Sequence, residues 1–195
     1  MDLVPGYSPG SEEVLDGDGR PVGTLLDFWR WSSSTLLDNT MRGMLAEFLV
    51  GLALECIGDS HRAEWDAFDL KTVDGIKVEV KASAYLQSWK QQRPSTIRFD
   101  IGERTAWYAE TNTYAAVADR GADVYVFCVF TETDRAEANP LDTRQWFFLV
   151  ASTTALDAAV GHQKSIGLAP LRERVKPIEV GFEGLAVAVK NAGTP

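Results

Sequence analysis

The stretch Phe68-Asp69-Leu70-Lys71-Thr72-Val73-Asp74-Gly75-Ile76-Lys77-Val78-Glu79-Val80-Lys81 decides how this chain reads. Residues two apart on a strand share a face. Phe68, Leu70, Ile76, Val78 and Val80 make an apolar set at even positions, and Asp69, Lys71, Lys77, Glu79 and Lys81 a charged set at odd positions. Asp74-Gly75 between the two runs signals a hairpin. A two-residue Asp-Gly loop would set Leu70 across from Glu79 and mix the faces. A loop of Val73, Asp74 and Gly75, with Gly75 in the left-handed conformation of a bulged turn, instead pairs Thr72 with Ile76 and sets Asp69 opposite Glu79.

Directly opposed like charges destabilise a sheet. A divalent cation removes that objection: carboxylate oxygens of Asp69 and Glu79, the backbone carbonyl of Val80 and waters suit Mg2+ or Mn2+, both hard ions. Lys81, two residues beyond Glu79 on the same face, is placed to orient a water for attack on phosphorus and to stabilise the negative charge that develops. The competing reading is a solvated hairpin face with lysines in weak cross-strand salt bridges. Asp66 competes with Asp69 as the upstream carboxylate, but its even parity points it to the apolar side.

Upstream, TMRGMLAEFLVGLALECIG reads as a long helix ended by Gly58, with Met41, Met44, Leu45, Phe48, Leu49, Leu52 and Cys56 as its buried stripe. Gly43, Val50, Gly51 and Leu54 surround Glu47 on its other side, so burial on two sides is expected. A glutamate on such a surface requires a partner, either a base such as Arg42 or the metal shell. LLDFWRW is a preceding helix, with Trp29 and Trp31 expected in the core. Downstream, STIRFDI, ADVYVFCVF and RQWFFLVAS read as strands, and the nearly all-apolar VYVFCVF as a central one covered on both faces. TALDAAVGHQ and GFEGLAVAVKNAG suggest short helices or a final strand.

The ordered set Glu47, Asp69 and Glu79-Val80-Lys81 resembles the PD-(D/E)xK, or restriction-endonuclease-like, nuclease superfamily, over about Thr24 to Val129. Phe68 stands where that motif has proline. The resemblance implies an α/β fold: a restriction-endonuclease-like αβββαβ core, a central mixed β-sheet flanked by helices, on which a helix glutamate, a strand aspartate and the (D/E)xK strand converge. It also implies that SAYLQSW opens a second core helix, with Ser83 and Gln87 near the site, and that the activity is phosphodiester hydrolysis, most readily in DNA, of a restriction, repair or phage-defence type. The alternative is a catalytically silent nuclease-like module that binds nucleic acid or a partner protein in a larger complex.

The bulk numbers constrain this. With 45% hydrophobic residues in 195, one core is expected, in a single domain over residues 24–190 behind an extended or disordered lead-in at 1–23. No run of about 18 apolar residues and no signal peptide is read, so the expected location is cytoplasmic, with no membrane partner. A net charge of -9 repels a polyanion at long range, so any nucleic-acid surface must be local. The candidate is the acid-free segment from Val80 to Phe99, where Lys90, Arg93 and Arg98 would grip phosphates and Trp89 would stack on a base or else cover a helix end. Cys56 and Cys128 read as buried free thiols, and His61 and His162 as surface residues. A homodimer or a defence or repair partner is expected, with the apolar C-terminal half as interface material.

Overall fold

The computed structural model describes residues 8–58, 68–105, 107–108, 113–114 and 116–194; Asp66 and His61 lie outside them. In chain order the elements are β1 (Glu13–Leu15), β2 (Pro21–Thr24), α1 (Leu25–Ser33), α2 (Asn39–Ala53), β3 (Leu70–Lys71), β4 (Lys77–Ala84), β5 (Arg98–Asp100), β6 (Trp107–Tyr108), β7 (Thr113–Tyr114), β8 (Val124–Phe130), β9 (Trp146–Ser152), α3 (Thr153–Val160), β10 (Ser165–Gly167), α4 (Leu168–Pro170), β11 (Ile178–Val180) and α5 (Leu185–Gly193).

β8 is buried at every position, each large side chain contributing roughly 1.5–3 kcal/mol by leaving water. It lies at the middle of a five-stranded sheet of order β11-β9-β8-β4-β3, parallel to β4 and antiparallel to β9. Alternation sends Val124, Val126, Cys128 and Phe130 toward α2 and α5, together with Val78, Val80 and Ala84 of β4. Tyr125, Phe127 and Val129 point the other way, into a layer built from β5, β10 and α3 that contributes Phe99, Ile166 and Leu156. The result is the expected α/β architecture, a central mixed sheet flanked by helices, consistent with a restriction-endonuclease-like fold. No helix of the described residues is long and apolar enough to cross a membrane.

Several expectations are corrected. On α2 the buried residues are Arg42, Leu45, Ala46, Leu49, Val50 and Gly51, while Met44, Phe48 and Leu52 are 41%, 47% and 45% exposed. The small residues let the helix approach the sheet and its neighbours: a Cβ on Gly51 would clash with the Ile57 side chain and sit 3.4 Å from Leu70 Cδ2. The helix is therefore buried on one side. It ends before Gly58 because Glu55 takes the left-handed conformation (φ 53°), with its N–H donating to Leu52 O and the Cys56 N–H to Gly51 O, the hydrogen-bond pattern of a Schellman cap. Trp31, 84% exposed, is not in the core, nor is any other residue of α1.

The helix expected from Ser83 is absent. β4 runs on through Ala84 and the chain is irregular from 85 to 97. Backbone groups left without a helical ladder still need partners, and the Gln91 amide supplies them: Oε1 accepts from Gln87 N at 2.7 Å and Nε2 donates to Tyr85 O at 3.2 Å. β1 and β2 form an antiparallel hairpin within the lead-in, without a buried residue in either strand.

At the β3–β4 turn, Leu70 pairs with Val78 and Lys71 with Lys77, and Thr72 N–H donates to Ile76 O. The loop is Val73-Asp74-Gly75, and Gly75 has φ 89°. A Cβ there would meet nothing within 4 Å, so Gly75→Ala carries only the backbone cost of a left-handed residue, about 1–2 kcal/mol. Urea unfolding should show that loss with an unchanged slope.

Candidate active site

The ladder between β3 and β4 stops at Leu70. Asp69 N–H still donates to Val78 O at 3.0 Å, but the next amide of β4 that faces this edge, Val80 N–H, meets the Asp69 side chain: Oδ2 accepts from it at 2.7 Å. A carboxylate thus completes the strand edge where backbone no longer does. A strand residue's N–H and C=O point to the same side, so the Val80 carbonyl faces the edge that Asp69 occupies. Asp69 and Val80 are brought together by main-chain satisfaction.

Glu79 and Lys81 alternate onto the face beneath β5, and they form an ion pair with side chains only 11% and 16% exposed. The charged face is therefore solvated only at its turn end, at Lys71 and Lys77. Burial pushes the Glu79 carboxyl above the usual carboxylate range; Lys81 opposes this, Asp69 adds to it through like-charge repulsion, and Arg104 opposes it. Two carboxylates within electrostatic reach of each other, one of them desolvated, form a centre of negative charge that a cation relieves.

Glu47, half-buried on α2, belongs to the opposite layer. The Cys128 thiol is pushed well up by burial, and further by the carboxylates of Asp69 and Glu47. Both acids are therefore within reach of one point on β8. Asp69 stands at the sheet edge, within electrostatic reach of Glu79. Among the described residues no three His, Cys, Asp or Glu side chains gather as a metal cluster.

The other expected residues lie farther along β4. Gln87, 7% exposed, accepts from Arg42 Nη1 at 3.3 Å and donates to Ala84 O at 3.1 Å, tying α2 to the strand's far end. That end is roughly 16 Å from Glu79 at a strand's rise per residue, so Gln87 is not gathered with the acids. Trp89, Lys90 and Arg93 are exposed in the same irregular segment, where Arg135 joins them by donating to Gln87 O and Trp89 O at 2.7 and 2.8 Å. Ser83 Oγ accepts from Arg98 N–H at 3.4 Å, and the Arg98 guanidinium donates to Ser165 Oγ.

From Arg98 the chain steps back along β4 toward the acids. Asp100 comes within electrostatic reach of Lys81, and Arg104 within reach of Glu79. Arg104 pairs with Asp100 at 3.1 Å and keeps a side chain 66% exposed. Sequence reading missed Arg104, Asp100 and Arg135. Alternation in STIRFDI did carry a signal, since it puts Arg98 and Asp100 on one face.

Cys128 is a buried free thiol and Cys56 a half-buried one. His162 is exposed and bonded to the Glu103 carboxylate at 2.9 Å.

No curated protein matches the chain. A protein-family comparison matches residues 25–159 to the family described as bacteriophage T4 endonuclease IV, a span that runs from α1 to α3 and contains Asp69, Glu79, Lys81 and Arg104. With more than half of its 195 residues matched, this chain belongs to the bacteriophage T4 endonuclease IV family and is a nuclease by that membership.

Proposed function

We propose that this protein is a metal-dependent endonuclease of the PD-(D/E)xK kind that hydrolyses phosphodiester bonds in DNA. The observation that carries the reading is the Asp69 carboxylate seated on Val80 N–H beside the buried Glu79–Lys81 pair. The donor set suits a hard divalent cation: Asp69, Glu79 and the Val80 carbonyl are all oxygen ligands. When bound there, Mg2+ or Mn2+ would supply Lewis-acid stabilisation of the scissile phosphate and lower the pKa of water.

The protein's own groups have separable tasks. Asp69 and Glu79 concentrate negative charge at the edge. Lys81 orients the attacking water and stabilises charge on the phosphoryl oxygens. Glu47 assists from the α2 side, and Arg104 and Arg98 hold flanking phosphates.

Purified protein with Mg2+ or Mn2+ should cleave at least one of single-stranded, duplex or branched DNA. Lys81→Ala should cut about 10²–10³-fold more slowly, the scale for losing one electrostatic donor, and still bind metal. Inertness of the wild type toward all of these DNA forms would sink the enzymatic reading. The Glu79–Lys81 ion pair, complete without a cation, is what a silent binding module would also show. Calorimetry with Mg2+ separates the two, since a silent module gives no metal heat that Asp69→Asn removes.

Saturating metal at 100 times Kd should raise wild-type stability by about 2.7 kcal/mol. Asp69→Asn should lose that gain while its amide oxygen still accepts from Val80 N–H.

The pH dependence has a definite sign. The Glu79 carboxyl is raised on folding, so the folded state binds its proton more tightly than the unfolded chain. Metal-free stability then falls as pH rises from the ordinary carboxylate range through the raised value. Melting temperatures in chelator should show this slope in the wild type, and Glu79→Gln should flatten it.

A further inference from the structure

The segment from residue 8 to 33 is assembled from parts that do not stand alone. A two-stranded ribbon is marginal in water, and so is a helix of nine residues. Locally this arm is well made. Thr24 Oγ1 accepts from Asp27 N–H while the Asp27 carboxylate accepts from Thr24 N–H, and the amides of Leu25 and Leu26 donate to the carbonyls of Glu12 and Gly10 at 2.8 Å. Yet neither β1, β2 nor α1 buries a residue. Leu26 and Trp29 lean on Gly10, and the Phe28 and Trp31 rings stand 6.4 Å apart with Trp31 84% exposed.

A second uncovered stripe lies on α2, where Met44, Phe48 and Leu52 recur every fourth residue and are 41–47% exposed. Four partly bare aromatic rings, each about 150–250 Å² when fully covered, together with the aliphatic side chains beside them, put the uncovered apolar area on the order of 1,000 Å². Taken together, the two stripes meet the ~800 Å² that a standard interface covers on each partner, while each alone is of the order of the roughly 300–600 Å² largest patch of a typical monomer.

We propose that the arm of one copy docks on the outward α2 stripe of a second copy, and reciprocally, in an arm-exchanged homodimer hinged between Ser34 and Asp38. Charge excludes two other occupants. The arm holds Glu12, Glu13, Asp16, Asp18 and Asp27 against Arg20 and Arg30, so a nucleic acid or an anionic membrane is repelled. Both halves of the contact stand on one chain, joined by the five residues between α1 and α2, as a two-fold exchange requires. Because each copy carries a net charge of -9, association strengthens as salt screens the repulsion.

Sedimentation velocity across the micromolar range tests this without reference to nuclease activity. The wild type should pass from monomer to dimer with concentration, more readily at high salt. Trp31→Ala on the arm, and Phe48→Glu or Met44→Glu on α2, should each weaken association by about tenfold or more with an unchanged circular dichroism spectrum. Mixing Trp31→Ala with Phe48→Glu should restore part of the dimer, because one intact arm then meets one intact stripe. A wild type that stays monomeric throughout overturns the proposal, as does a dimer indifferent to all three substitutions. Failure of the mixture to associate better than either variant alone overturns the arm-on-α2 geometry.

Discussion

β8 has both faces covered, and this constraint sets the positions of everything else. Every side chain from Val124 to Phe130 is out of water, so the sheet must carry a layer on each side, and alternation assigns residues to those layers without choice. β4, parallel to β8 and in register with it from Val78 to Ala84, inherits the same division. Its even residues enter the α2–α5 layer. Its odd residues, Glu79 and Lys81, are carried under β5 and buried with their charges.

A polar pair in that position is costly unless the charges meet each other or a ligand. Lys81 answers the Glu79 charge from the same strand. Asp69 works against it, held beside Glu79 by its bond to Val80 N–H. The edge of β4 is open at this level because β3 has only two ladder residues. Short pairing therefore does two things at once: it frees the Val80 carbonyl edge and substitutes a carboxylate for a backbone carbonyl as the acceptor there. A longer β3 would have satisfied Val80 with main chain and left no reason for a charged group to sit in the sheet edge.

The hairpin was legible because parity is unforgiving: one residue of slip would have mixed Leu70 with Glu79, so the loop length followed from the letters and from Gly75. The central strand was equally plain from its apolar run. α2 was misread because the largest apolar residues were assigned to the core, whereas the sheet is approached closely by Ala46, Val50 and Gly51, leaving Phe48 and Met44 outside. The helix after β4 came from resemblance and not from the residues, and Gln87 and Gln91 show why it fails, since their side-chain amides bond the backbone of an irregular loop.

By itself the sequence determined the residues whose placement follows from strand period and turn chemistry: the register of β3 with β4, the even and odd faces, and the nearness of Asp69 to Glu79. Tertiary structure alone decided how the rest came to share space. Arg104 comes within electrostatic reach of Glu79 because the chain after β5 runs back along β4, Gln87 lies away from the acids because β4 continues straight through Ala84, and Glu47 belongs to the opposite layer. Local alternation and turn preferences act over a few residues and are written in the chain. Contacts between elements far apart in sequence depend on which faces the packed layers bury, and no single segment specifies that.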